Sequence, residues 1–69
     1  MRLSEHAIAL YALFIHGNEV FGSEDEFTTW LNQNNFHFDG KSPYSYLQVI
    51  SGIKFIDDRL TALEYGDNV

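Results

Sequence analysis

Three histidines and ten carboxylates are the side chains of this sequence with chemistry to offer, and it has no cysteine. His6 and His16 lie ten residues apart, about three turns along a helix and too far to share an ion. His37 sits between Phe36 and Phe38, where a packed or hydrogen-bonded ring is the ordinary state. Structural zinc needs four Cys- or His-type ligands at short spacings, so no metal site is expected. Nothing supports Ser-His-Asp catalysis: there is no nucleophile elbow and no glycine-rich phosphate loop. No cofactor is expected, and the chain reads as a non-enzyme. The acidic run Glu24-Asp25-Glu26 follows Ser23. It suits the first turn of a helix, where the macrodipole favours negative charge, better than it suits a metal.

The remaining candidates are aromatic. Tyr44, Tyr46 and Tyr65 fit either a core or an interface, because tyrosine is enriched at binding hot spots. Trp30 is expected in the core with its indole N–H bonded to a loop carbonyl. Phe55 falls off the apolar stripe of its helix, where a loop covers it or a partner meets it. Net charge is −6, which opposes contact with phosphate backbones, so direct nucleic-acid binding is not expected. An acidic surface favours encounter with a basic protein partner, and it also simply keeps a protein soluble. The longest apolar run, Ala7–Ile15, has nine residues, half of the ~18 that suggest a membrane span. With no signal-peptide pattern either, a cytoplasmic protein is expected.

These residues must be positioned by helices. Leu3, Ala7, Leu10, Phe14, Gly17 and Phe21 recur at steps of four and three, which predicts a helix over about 4–21. Ser4 caps it and Gly22 ends it. Gly17 lies on the inward stripe, where it allows a close helix crossing or else marks a break near Asn18. Ser23 and Glu26 form a capping box for a second helix over 24–33, with Phe27, Trp30 and Leu31 inward. Residues 34–42 read as an ordered loop. Ser42-Pro43 opens a third helix over 43–50, and Gly52 separates it from a fourth over 53–64. Ile53, Ile56, Leu60 and Leu63 form the stripe of that last helix, with Lys54 and Asp58 paired outside. Gly66 is its left-handed cap. The expected fold is all-α: a single compact bundle of about four helices with short loops.

Read in order, Val20-Phe21-Gly22, Trp30-Leu31, Gly40-Lys41-Ser42-Pro43, Gly52 and Leu63-Glu64-Tyr65-Gly66 make a series that resembles the toxin-binding domain of the MbcA/ParS/Xre antitoxins. In this resemblance Phe21, Gly22, Trp30, Leu31, Gly40, Pro43 and Gly52 are structural. The resemblance implies a protein inhibitor that neutralises a RES-domain, NAD-degrading toxin by occluding its active site. The end of the last helix and the tail then contact the toxin, which maps to Glu64, Tyr65 and Gly66, with Asp67, Asn68 and Val69 included by adjacency. Glu64, Asp67 and the terminal carboxylate would suit an electropositive cleft.

Two departures accompany the resemblance. The helix-turn-helix domain that usually precedes this one in the family is not expected within these 69 residues. Ala62 also stands where the family often has arginine, two residues before the closing glutamate. The competing readings are an adaptor of the same fold, binding another protein through Tyr44, Tyr46 or Phe55, and an independent DNA-binding regulator, which the charge opposes.

Overall fold

The computed structural model describes residues 2–67. Helix α1 spans Glu5–Phe21, and the Ser4 hydroxyl accepts the Ala7 N–H at 3.0 Å. It ends at Gly22 in the left-handed region (φ 84°), where glycine carries no steric penalty. Helix α2 spans Glu24–Leu31 behind Ser23, whose hydroxyl accepts the Glu26 N–H at 3.1 Å. It stops two residues before the expected end, because the Asn32 side chain bonds back to the Thr28 carbonyl at 2.9 Å.

After α2 come two single 3-10 turns, Phe36–Phe38 and Pro43–Tyr46, and then helix α3, Ile50–Glu64. The all-α bundle is as expected, but its third member is shorter. Pro43 does open a helical turn, yet this turn ends at Tyr46, and Val49 is extended (φ −131°, ψ 152°). Helix α3 consequently starts three residues ahead of its expected position and contains Gly52 within its first turn. Gly52 is therefore not a separator between helices. It is buried, and a Cβ built on it would overlap the Tyr46 carbonyl, so its absent side chain lets the 3-10 turn lie directly on α3.

Gly17 serves the same purpose in α1. The helix is unbroken there, and the Phe27 ring of α2 occupies the space a Cβ would need. Around that crossing the core gathers Leu13, Phe27, Trp30, Leu31, Phe38, Ile53, Ile56 and Leu60. Rings run through it in contact: Phe14 meets Phe27 edge-on at 5.2 Å, and Trp30 meets Phe38 edge-on at 5.8 Å. Phe38 also meets Tyr46 at 5.1 Å, and Tyr46 stacks on Phe55 at 5.6 Å. Such pairs add to the apolar burial that a short chain needs. Trp30 is in the core as expected, but its buried Nε1 has no partner among the described residues.

The loop between α2 and the second turn is built by Asn35. Its side chain accepts the His37 N–H at 2.9 Å, and its carbonyl receives the Phe38 and Gly40 N–H groups. Asp39 (φ 58°) and Gly40 (φ 76°) then reverse the chain in the left-handed region. This reversal drives Phe38 fully inside and leaves Phe36 90 % exposed.

Candidate functional site

The end of α3 is where sequence reasoning placed the contact residues, and the local chemistry there begins with carbonyl groups. A helix leaves its last carbonyls unpaired unless the chain folds back. Gly66 (φ 93°) makes this fold: its N–H reaches the Leu63 carbonyl at 3.1 Å, and the Asp67 N–H reaches Ala62 at 3.2 Å. Both bonds of a Schellman closure are thus present. Arg59 Nη1 then donates to Asp67 Oδ2 at 3.0 Å, from a side chain only 12 % exposed. The first residue of the tail is tied down at its backbone and at its side chain.

Glu64 is held from the other side. His16, on α1, donates from Nδ1 to Asp57 Oδ1 at 2.6 Å and from Nε2 to Glu64 Oε1. Asp57 and Glu64 are seven residues apart and so lie on one face of α3, two turns from each other. A neutral imidazole has one N–H, so satisfying a carboxylate at each nitrogen requires the imidazolium. Desolvation lowers the His16 pKa, but the hydrogen bonds and charges of Glu64 and Asp57 outweigh it and leave the value raised above 6.5. Farther up the helix, His6 Nε2 meets the Leu47 carbonyl at 2.7 Å. His16 therefore fastens the C-terminal part of α1 to α3, and His6 fastens its N-terminal part to the segment that leads into α3.

Of the expected contact residues, Glu64, Tyr65, Gly66 and Asp67 come together at this end, whereas Asn68 and Val69 lie outside the described residues. Tyr65 is 85 % exposed and Gly66 is also open to solvent. Glu64 and Asp67, from which charge for an electropositive cleft was expected, both carry internal ion pairs. Phe55, Asp58, Ala62 and Tyr65 follow one another at helical spacing along the outer side of α3. His37, Phe55, Asp58, Arg59 and Ala62 line a shallow groove there. Ala62 thus helps line a groove beside the tail, and Phe36 stands beside it with its ring against His37 at 5.7 Å.

The structural residues behave differently from one another. Trp30, Leu31 and Pro43 are buried and Phe21 packs against the core, whereas Gly22 and Gly40 turn the chain. Lys54 and Asp58 pair outside as expected, at 3.6 Å. Sequence reasoning did not find His16, Asp57 or Arg59. The available signal was the seven-residue spacing of Asp57 and Glu64, which marks a shared face but not the histidine that meets it. Among the described residues no group of three or more His, Asp or Glu could hold a metal ion, and no helix is long and apolar enough to cross a membrane.

Residues 16–66 match the sequence model of one protein family, described as the antitoxin Xre/MbcA/ParS C-terminal toxin-binding domain. No curated protein and no solved structure gave a significant match.

Proposed function

From the premise that the chain belongs to the Xre/MbcA/ParS antitoxin C-terminal toxin-binding domain family, we propose that it neutralises a RES-domain, NAD-degrading toxin by covering the toxin's active-site entrance. The observation that carries this reading is the exposed Tyr65-Gly66 end of α3, which lies within the matched residues and is braced from behind. Tyr65 is the anchor, since a large, rigid aromatic contributes contact area at little entropic cost. Gly66 allows close backbone approach, and Asp67, Asn68 and Val69 extend the contact toward the cleft. Glu64 holds the end of the helix against α1. The inhibitor acts by occupancy, with no bond made or broken.

Co-expression with a RES-domain toxin encoded beside it tests this directly, with growth and cellular NAD as readouts. Restored NAD and a co-purifying complex are expected. An intact, folded protein that neither binds the toxin nor protects NAD would sink the reading.

A second reading, an adaptor for another protein, is favoured by the exposure of Tyr44 (58 %) and Phe55 (46 %). Tyr46 is less available, because its hydroxyl donates to the Phe38 carbonyl at 3.1 Å. Retained toxin binding after Tyr44→Ala and Phe55→Ala, with loss of a different host partner, would support the adaptor.

A further inference from the structure

Helix α1 is apolar on more sides than its fold uses. Between Glu5 and Glu19 it contains no Asp, Glu, Lys or Arg. Its inward side meets α2 and α3, yet its exposed residues are Glu5, Ile8, Tyr11, Ala12, Ile15 and Glu19. Ile8 is 53 % exposed, Tyr11 70 % and Ile15 44 %. A helix that is apolar all round is ordinarily covered on both sides. By contrast, the exposed residues of α3 are mostly polar, Ser51, Lys54, Asp58, Thr61 and Glu64 outnumbering Ile50 and Phe55. Most of the α1 face precedes residues 16–66, so the family match does not account for it.

The order of the exposed residues points to their occupant. Glu5, Ile8, Ala12, Ile15 and Glu19 are spaced three, four, three and four apart, the spacing of a coiled-coil seam. The same residue types also read identically in both directions: Glu, Ile, Ala, Ile, Glu. A palindromic seam is self-complementary about a two-fold axis, as an interface between identical chains requires. We propose that two copies of this chain associate through antiparallel α1 helices, with the axis passing through Ala12.

In that pairing Ile8 of each copy packs on Ile15 of the other. Ala12 meets its own counterpart, and so small a residue lets the helix axes approach to about 8 Å, the near end of the usual range. Tyr11 covers one flank. The other flank is the apolar groove where Ala9, Ala12 and Leu13 face Ile50 and Ile53, with exposed Val49 beside it. These side chains leave roughly 500 Å² of apolar surface open, in the upper half of the ~300–600 Å² range of the largest patches on monomers, which are often functional. Pairing would bury about 1,000 Å² over both copies, the lower edge of a specific interface, so the dimer is a weak one. Glu5 then lies across from the partner's Glu19. Two exposed like-charge contacts weaken association only several-fold and are screened by salt, so they moderate the pairing without preventing it.

The test is sedimentation equilibrium of the full chain from about 10 µM to 1 mM, with heteronuclear NMR to locate the contact. The 8.0 kDa chain is expected to approach twice its mass at the upper concentrations, with shifts confined to the outer face of α1. Ala12→Glu places like charges on the axis and is expected to weaken the dimer at least a hundredfold. Because Ala12 is exposed, this variant should retain its melting temperature; Ile15→Ser is the second disruptor should it not. Glu19→Lys turns both repulsive contacts into attractive ones and is expected to tighten the dimer several-fold at low salt. A chain that remains monomeric at 1 mM overturns the proposal and leaves the face to a different protein. A dimer indifferent to Ala12→Glu and Ile15→Ser, or one whose shifts map elsewhere, overturns it equally.

Discussion

Replacing His16 with glutamine should remove a pH-dependent part of the stability, and the structure sets both its size and its direction. The imidazolium makes two charge-assisted bonds, to Asp57 and to Glu64. Fully buried, such bonds contribute about 1.5–3 kcal/mol each. Here the histidine is 21 % exposed and the two carboxylates 47 % and 45 %, so the value falls toward that of surface pairs, ~0.2–1 kcal/mol each. Together they amount to about 1 kcal/mol, or a 4–8 °C shift in Tm for a domain of this size. The folded-state pKa lies above the ordinary 6.5, so the folded protein keeps this proton where the unfolded chain releases it. The stabilisation is therefore complete below pH 6.5 and is lost as pH rises through the folded value. Urea or thermal unfolding of the wild type and His16→Gln, from pH 6 to 9, gives the difference between them at each pH. That difference should be largest at pH 6 and shrink steadily toward pH 9. A constant gap, or one that widens with pH, would show that His16 is neutral in the fold and refute the imidazolium clasp.

Gly52→Ala should destabilise by about 2 kcal/mol despite alanine's better helix propensity, because its Cβ meets the Tyr46 carbonyl. A stabilised variant in a thermal melt would contradict that contact. Trp30→Ala should cost about 3–5 kcal/mol and, in so small a domain, leave much of the chain unfolded by circular dichroism. Tyr65→Ala should change stability by less than about 0.5 kcal/mol while weakening the toxin complex at least tenfold by calorimetry. Unchanged affinity would move the contact elsewhere. Deleting Asp67 to Val69 should cost about 1 kcal/mol, through the lost Arg59 pair and the Ala62 bond, and also weaken the complex.

Much of the fold was legible because helix ends are local chemistry. Ser4, Ser23, Gly22 and Gly66 act within a turn of themselves, so their types alone announce where α1 and α2 begin and where α1 and α3 stop. The length of the third element was not legible, since Pro43 marks a start but carries no information about how far the turn continues. Gly52 has the same sequence signature whether it ends a helix or receives a neighbouring backbone, and only the position of Tyr46 decides. Phe36 and Phe38 are equivalent in sequence, yet the Asp39-Gly40 reversal selects the second for the core. At the candidate site, the sequence left Tyr65 open between core and interface, and its position just past the end of α3 is what exposes it. The His16 clasp did not follow, because it joins residues 41 and 48 positions apart.

Those long-range bonds change how charge enters recognition. An acidic tail reaching into a basic cleft would need free carboxylates, but the Glu64 and Asp67 carboxylates are each engaged by a cation of this same chain. Releasing either for a partner would forfeit an existing pair, so its exchange gains little. The net charge of −6 still acts at a distance, where it speeds encounter with a basic surface whichever acids carry it. In the proposed complex, contact would then rest on the uncharged groups at the tip, Tyr65 and the Gly66 backbone, beside those ion pairs. On that proposal, charge would govern the rate of approach and aromatic packing the residence time. Added salt should accordingly slow association of this chain with a toxin far more than it speeds dissociation.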